Sequence, residues 1–264
     1  PGVSVKLSAL HPRFELAQAG RVRAELVPRV LELAVAARAH NIGLGIDAEE
    51  AGRLDITLEV FEAVYCDPQL GGWEGFGLAV QAYHKAAPAV IDWLAALAAR
   101  HGRRIMVRLV KGAYWDAEIK HAQTRGLAGY PVYTRKASTD VAYLVCAARL
   151  LALRERLYPQ FATHNAHSAA AVLALAGAPG GFEFQRLHGM GEELYEELVE
   201  RRGVPVPVRI YAPVGVHRDL LAYLVRRLLE NGANSSFVHN LADDALASTT
   251  LAADPSAKLR ALDH

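Results

Sequence analysis

The chain is poor in the residues that mark several classes of protein. Among its 264 residues are only two cysteines, two methionines and three tryptophans. Cys66 and Cys146 stand singly in apolar, helix-like runs without C-x-x-C spacing. That excludes a disulfide framework or thiolate metal cluster and reads as two buried free thiols in a reducing compartment. Neither charge dominates: 29 Lys+Arg stand against 28 Asp+Glu, a formal net charge of +1. No basic excess is left to neutralise a phosphate backbone, so no nucleic-acid partner is expected. No run approaches the roughly 18 consecutive apolar residues of a spanning helix. The opening Pro-Gly-Val-Ser-Val-Lys-Leu lacks the charged start and long apolar core of a secretory signal, and the expected location is the cytoplasm. Linkers are missing too, since no Ser/Pro/Gly-rich stretch or charge block divides the chain. With 52% hydrophobic residues, it reads as one globular domain of a size that suits a (β/α) barrel, about 250 residues.

What is present is a regular alternation. Short β-rich runs fall at 2–9, 42–47, 77–83, 104–111, 160–164, 181–186 and 206–212, most of them bounded by Gly, Pro or Asn. Between them the apolar spacing turns helical at 21–40, 53–66, 88–101, 137–157, 168–176, 192–202 and 217–230. Pro88 falls in a first turn, Ser168 at a start, and Gly102, Gly203 and Gly232 just past ends. Alternating β and α segments call for parallel strands with crossover helices. Polar residues gather where strands end, at Lys6, Asp47, Gln81, Arg108 with Lys111, Thr163-His164, His188 and Tyr211. A barrel draws its chemistry from many strand ends, whereas an open sheet uses one crevice, so the expected fold is a (β/α)8 TIM-type barrel. Gly43-Leu-Gly-Ile-Asp-Ala48 matches a dinucleotide fingerprint only from inside a strand, the wrong context.

Several constellations carry chemistry. In Arg104–Trp115, Ile105, Val107 and Leu109 alternate with Met106, Arg108 and Val110, which puts a guanidinium on a buried strand face. It must meet an acid such as Asp47 or Glu118, or a ligand. Lys111-Gly112-Ala113 then turns on small side chains before Tyr114 and Trp115, a pattern that suits a flat ring system. In 217–230, Leu220, Leu221, Leu224, Val225, Leu228 and Leu229 fill one half of a helix, and Tyr223, Arg226, Arg227 and Glu230 share the other. That half is either a solvated face or a carboxylate clamp held by Glu230. The H-x-x-H of His164 and His167 has no acidic or thiolate companion, so no metal is expected. Lys6 and Lys111 are candidates for Schiff-base chemistry, as in barrel aldolases.

The segments Ser4-Val-Lys-Leu-Ser-Ala-Leu-His-Pro-Arg13, Ile46-Asp-Ala-Glu-Glu50, Val80-Gln-Ala-Tyr83, Arg108-Leu-Val-Lys-Gly-Ala-Tyr-Trp-Asp116, Phe161-Ala-Thr-His-Asn165, Leu187-His-Gly-Met-Gly191, Tyr211-Ala-Pro-Val-Gly215 and Tyr223-Leu-Val-Arg-Arg-Leu-Leu-Glu-Asn-Gly232 resemble, in order, the proline dehydrogenase domain of the bacterial proline utilization A proteins. The resemblance implies a (β/α)8 barrel that binds FAD non-covalently, oxidises L-proline to Δ1-pyrroline-5-carboxylate and passes electrons to a quinone. It implies a catalytic group of Arg108, Asp47 and Lys6. Cofactor binding falls to Asp47, Gln81, Arg108, Val110, Lys111, Gly112, Ala113, Trp115, Thr163 and His164. The substrate carboxylate would be held by Lys6, Arg226 and Arg227 with Glu230 orienting them, and its ring packed by Ala113, Tyr114, Leu187 and Tyr211. Further implied partners are an aldehyde dehydrogenase half in the parent protein and a peripheral contact with the inner face of the bacterial membrane.

Two readings from other classes stand beside this one: a lysine-dependent barrel aldolase, and a small-carboxylate-binding module without turnover. Only seven βα units can be counted where a closed barrel needs eight. The expectation is a single barrel domain over 1–264 that lacks its first strand and belongs to a larger polypeptide.

Overall fold

The computed structural model of the chain describes residues 1–178, 180–216, 218, 220, 221, 223, 225 and 254–261. Among these residues, seven parallel strands lie in one sheet in chain order: β1 (Gly2–Val5), β2 (Gly43–Ile46), β3 (Phe76–Gln81), β4 (Ile105–Val110), β5 (Leu157–Ala162), β6 (Glu183–Leu187) and β7 (Val208–Tyr211). All seven expected strands are present. Each pairs with its sequence neighbour, as right-handed βαβ crossovers produce. The crossovers are α2 (Ala19–Ala39), α3 (Leu54–Tyr65), α4 (Ala87–His101), α6 (Lys136–Ala152), α7 (Ala166–Ala176) and α8 (Glu192–Tyr195), the last continuing as a π-helical turn over Glu196–Arg201.

Alternation along the strands gives the sheet two different faces. Along β4, Ile105, Val107 and Leu109 are fully buried against the helices, while Met106, Arg108 and Val110 take the concave side. The outer face is the apolar core, with Ile46, Leu94, Leu150, Phe161 and Val172 among its members. The concave face carries small and polar residues, unlike the branched aliphatic layers common in such barrels. At Gly77 a Cβ would lie 2.2 Å from the Met106 carbonyl oxygen, so glycine is what lets β3 and β4 approach there.

The sheet curls until its two edge strands meet through side chains: Ser4 Oγ on β1 and Tyr211 OH on β7 are 2.8 Å apart. Lower on the concave face, Glu183 is almost fully buried and receives Arg209 in a bidentate pair at 2.7 and 2.8 Å. Gln160 and Gln185 donate to the same carboxylate.

Helix starts and stops follow local chemistry. Pro88 sits in the first turn of α4, and Gly102 ends it at φ 59. Asn165, rather than Ser168, caps α7, its side chain accepting the Ser168 N–H. Two helices depart from the sequence reading. The end of the strand expected at 2–9 instead enters the short α1 (Leu7–Leu10), and Trp115–Thr124 forms α5 where no element was expected. α5 is mostly polar, with only Glu118 and Ala122 buried, and offers little apolar periodicity to read. A final short helix, α9, covers Pro255–Arg260.

The cysteines are free. Cys146 is buried, but Cys66 is only partly so, because it lies just past the end of α3, where its Sγ is 3.2 Å from His101 Nε2. Burial pushes both thiols up, Cys146 to about 11. Residues 218, 220, 221, 223 and 225 are helical, as expected of 217–230, while Arg226, Arg227 and Glu230 lie outside the described residues.

Candidate active site

The carboxyl ends of β1, β2, β4 and β7 bring polar side chains together around Arg108. Its Nη1 donates to Asp47 Oδ1 at 2.7 Å, and its Nη2 donates to Ser4 Oγ and Tyr211 OH. The guanidinium carbon lies 4.2 Å from the centre of the Tyr211 ring. The side chain is only 13% exposed, and a charge that deep needs an acid, which Asp47 supplies. Of the two acids weighed for Arg108, Asp47 pairs with it, whereas Glu118 caps the Ala51 N–H at 2.6 Å. A Cβ at Gly45 would stand 3.3 Å from Ser4 Oγ and 3.4 Å from Arg108 Nη2, which puts β2 directly beneath this cluster. Among the described residues, Arg108 Nε is buried without a hydrogen-bond partner.

Asp47 holds a second cation. Its Oδ2 lies 3.6 Å from Lys6 Nζ, which also donates to Tyr114 OH at 3.2 Å. Burial pulls the Lys6 ammonium toward neutrality, yet Asp47 and Tyr114 outweigh it, and its pKa lies above the ordinary lysine value. Lys6 is therefore a half-exposed cation rather than a neutral nucleophile.

The turn after β4 is shaped from beneath. Gly112 has φ 147, and a Cβ there would fall 2.5 Å from the Tyr83 ring, so no other residue fits. Gln81 is buried with both ends of its amide engaged: Oε1 accepts the Ala113 N–H at 3.0 Å and Nε2 donates to the Glu49 carbonyl at 2.9 Å. Trp115 is 41% exposed, and its indole N–H donates to the Tyr133 carbonyl at 2.9 Å.

Lys111 does not join the cluster. Its side chain bonds Asp140 on α6, which also receives Lys136 at 2.9 Å. Burial lowers the Lys111 pKa against the pull of Asp140. Only the backbone of Lys111 runs with the turn. On the far side of the concave face, Thr163 Oγ1 accepts the Asn165 N–H at 3.1 Å and His164 Nε2 accepts the Leu187 N–H at 3.0 Å. Leu187 and Tyr211 are register partners on β6 and β7. Val110 lies on the concave side at the end of β4. Ser4, Glu49 and Asp140 were not singled out from sequence; Ser4 could have been, since it stands two residues before Lys6 and shares its face.

A curled parallel sheet with its polar groups collected at the carboxyl strand ends defines a (β/α)-barrel enzyme domain. A family model described as proline dehydrogenase matches residues 1–240. The chain belongs to that family. It is 59% identical over 261 residues to the bifunctional protein PutA of Klebsiella aerogenes, covering 97% of this chain and 20% of that protein. Against the PutA of Rhizobium meliloti it is 58% identical over 266 residues, 99% of this chain and 21% of the relative. The solved proline utilization A of Bradyrhizobium japonicum superposes with a TM-score of 0.94 at 61% identity, over 98% of this chain and 27% of that one. The corresponding protein of Bdellovibrio bacteriovorus, solved after inactivation by N-propargylglycine, gives a TM-score of 0.89 at 34% identity over 97% and 27%. The chain thus spans about a fifth of the length of the curated relatives it matches.

Proposed function

We propose that this chain oxidises L-proline to Δ1-pyrroline-5-carboxylate with non-covalently bound FAD and passes the electrons to a quinone. The observation that carries the reading is the Arg108–Asp47–Lys6 chain of charges at the strand ends, flanked by Tyr114 and Tyr211, in a member of the proline dehydrogenase family.

The residues fit a flavin. Among the described residues Arg108 Nε is a buried donor without an acceptor, in a cluster with Asp47, Ser4 and Tyr211 at the strand ends. Arg108, Gln81, Val110, the Lys111 backbone, Gly112, Ala113, Trp115, Thr163 and His164 are the groups we assign to holding it, with Asp47 beside them. When bound, a flavin supplies the acceptor for the hydride that leaves the carbon next to the proline nitrogen. The protein's own task is position and field. Lys6, held charged by Asp47 and Tyr114, grips the proline carboxylate, and Arg226, Arg227 and Glu230 complete that grip. Ala113, Tyr114, Leu187 and Tyr211 enclose the small ring and exclude water, and a fixed pose is what turns proximity into rate. Arg108 places a fixed positive charge where electron density grows.

The lysine-aldolase reading is disfavoured: Lys6 is held protonated, and Lys111 turns to α6. Among the described residues no helix is long and apolar enough to cross a membrane, and we assign the quinone encounter to a peripheral contact. The parent polypeptide we expect pairs this domain with an aldehyde dehydrogenase half. Anaerobic addition of proline to the FAD-loaded protein tests the reaction: bleaching of the flavin bands supports it, and a bound flavin that stays oxidised overturns it.

A further inference from the structure

Lys6 occupies the cap position of α1 with extended backbone, φ −91 and ψ 130, but its side chain makes no capping bond. It is drawn instead to Tyr114 and Asp47. The orphan N–H of Ser8 in that first turn is satisfied from another element, by Glu49 Oε1 at 3.0 Å. Glu49 stands two residues after Asp47 and is only 8% exposed. Its carbonyl accepts Gln81 Nε2 at 2.9 Å, and the other end of that amide takes the Ala113 N–H. One residue is thereby tied to the ends of β1, β3 and β4.

We propose that Glu49 is a positioning residue for the oxidation assigned above, on which this inference rests: its carboxylate sets the turn that begins at Lys6, anchored to a backbone whose carbonyl at the same position, through Gln81, already holds the turn that carries Ala113 and Tyr114. A simple partner for Arg53 would not need this depth. Arg53 Nη1 lies 2.6 Å from Glu49 but also 3.2 Å from Glu50, whose side chain is 45% exposed. Burying a carboxylate is costly unless it is fully used, and Glu49 is used on both oxygens. Its charge adds to that of Asp47, and to the hydrogen bond from Lys6 to Tyr114, in raising the Lys6 pKa.

The test compares Glu49→Ala and Glu49→Gln in the flavin-loaded full chain, reading kcat, proline KM, flavin content and melting temperature. Glu49→Ala is expected to raise KM about tenfold while kcat changes far less, since the substrate grip shifts and the acceptor does not. Glu49→Gln keeps an oxygen for the Ser8 N–H and is expected to restore most of the KM. An unchanged KM in Glu49→Ala, with wild type active, overturns the inference alone. Parallel loss of melting temperature, flavin and kcat in both variants also overturns it, because that is the signature of a brace. Wild type inert to proline overturns the reaction and this inference with it.

Discussion

Asp47 spends one carboxylate on two cations, Arg108 and Lys6, and the consequence falls mainly on Lys6. Asp47, Tyr114 and Glu49 raise its pKa, so the ammonium is fully formed at neutral pH and is lost only as pH climbs through that raised value. Affinity for a carboxylate ligand should follow the same course. In Asp47→Asn the raising charge is gone, so the alkaline loss of affinity moves to lower pH. A competitive carboxylate inhibitor titrated from neutral to strongly alkaline pH measures this, and an unmoved alkaline limb separates Lys6 from carboxylate binding. Truncating Arg226 or Arg227 to alanine should raise proline KM far more than it lowers bound FAD. Equal loss of both, read by absorbance and initial rates, would remove them from the substrate grip.

Strands were more legible than turns. β4 is read from strict alternation, which puts Arg108 on the face of Met106 and Val110, and the structure makes that face the concave one. The same period, carried one step further, turns Lys111 outward to Asp140; treating the turn as a cofactor string hid that. α5 escaped because a polar surface helix lacks the apolar spacing on which the reading depends, and α1 because four residues are too few for any period. The Glu49–Gln81–Ala113 link is invisible in sequence, since it joins three loops through one carbonyl and one amide. The lower polar layer of β5, β6 and β7 offers an independent test of the element scale. Glu183→Ala strips Arg209, Gln160 and Gln185 of their common acceptor. It should cost about 3 kcal/mol in urea unfolding, while proline KM in the surviving folded enzyme stays as it was, because Glu183 starts its strand and the site lies at the other end.

At the scale of the whole molecule, the length that first suggested a complete barrel corresponds to seven strands among the described residues, in a sheet that curls toward closure. FAD at a hundred times its dissociation constant should add about 2.7 kcal/mol of stability, which for a chain of this size is a melting-temperature rise of about 5–10 °C. Calorimetry with and without FAD reads it directly, and an unchanged melting temperature would argue against a preformed cofactor site.

The bond between Ser4 and Tyr211 spans 207 positions, whereas every backbone pairing in the sheet joins strands adjacent in the chain. A folding chain can therefore zip the sheet from short loops and meets its largest closure entropy only when the two ends come together. Arg108 donates to both of those end residues. The Tyr211 side of that cluster therefore arrives only with the closing contact, whereas Arg108, Asp47 and Lys6 can meet before it.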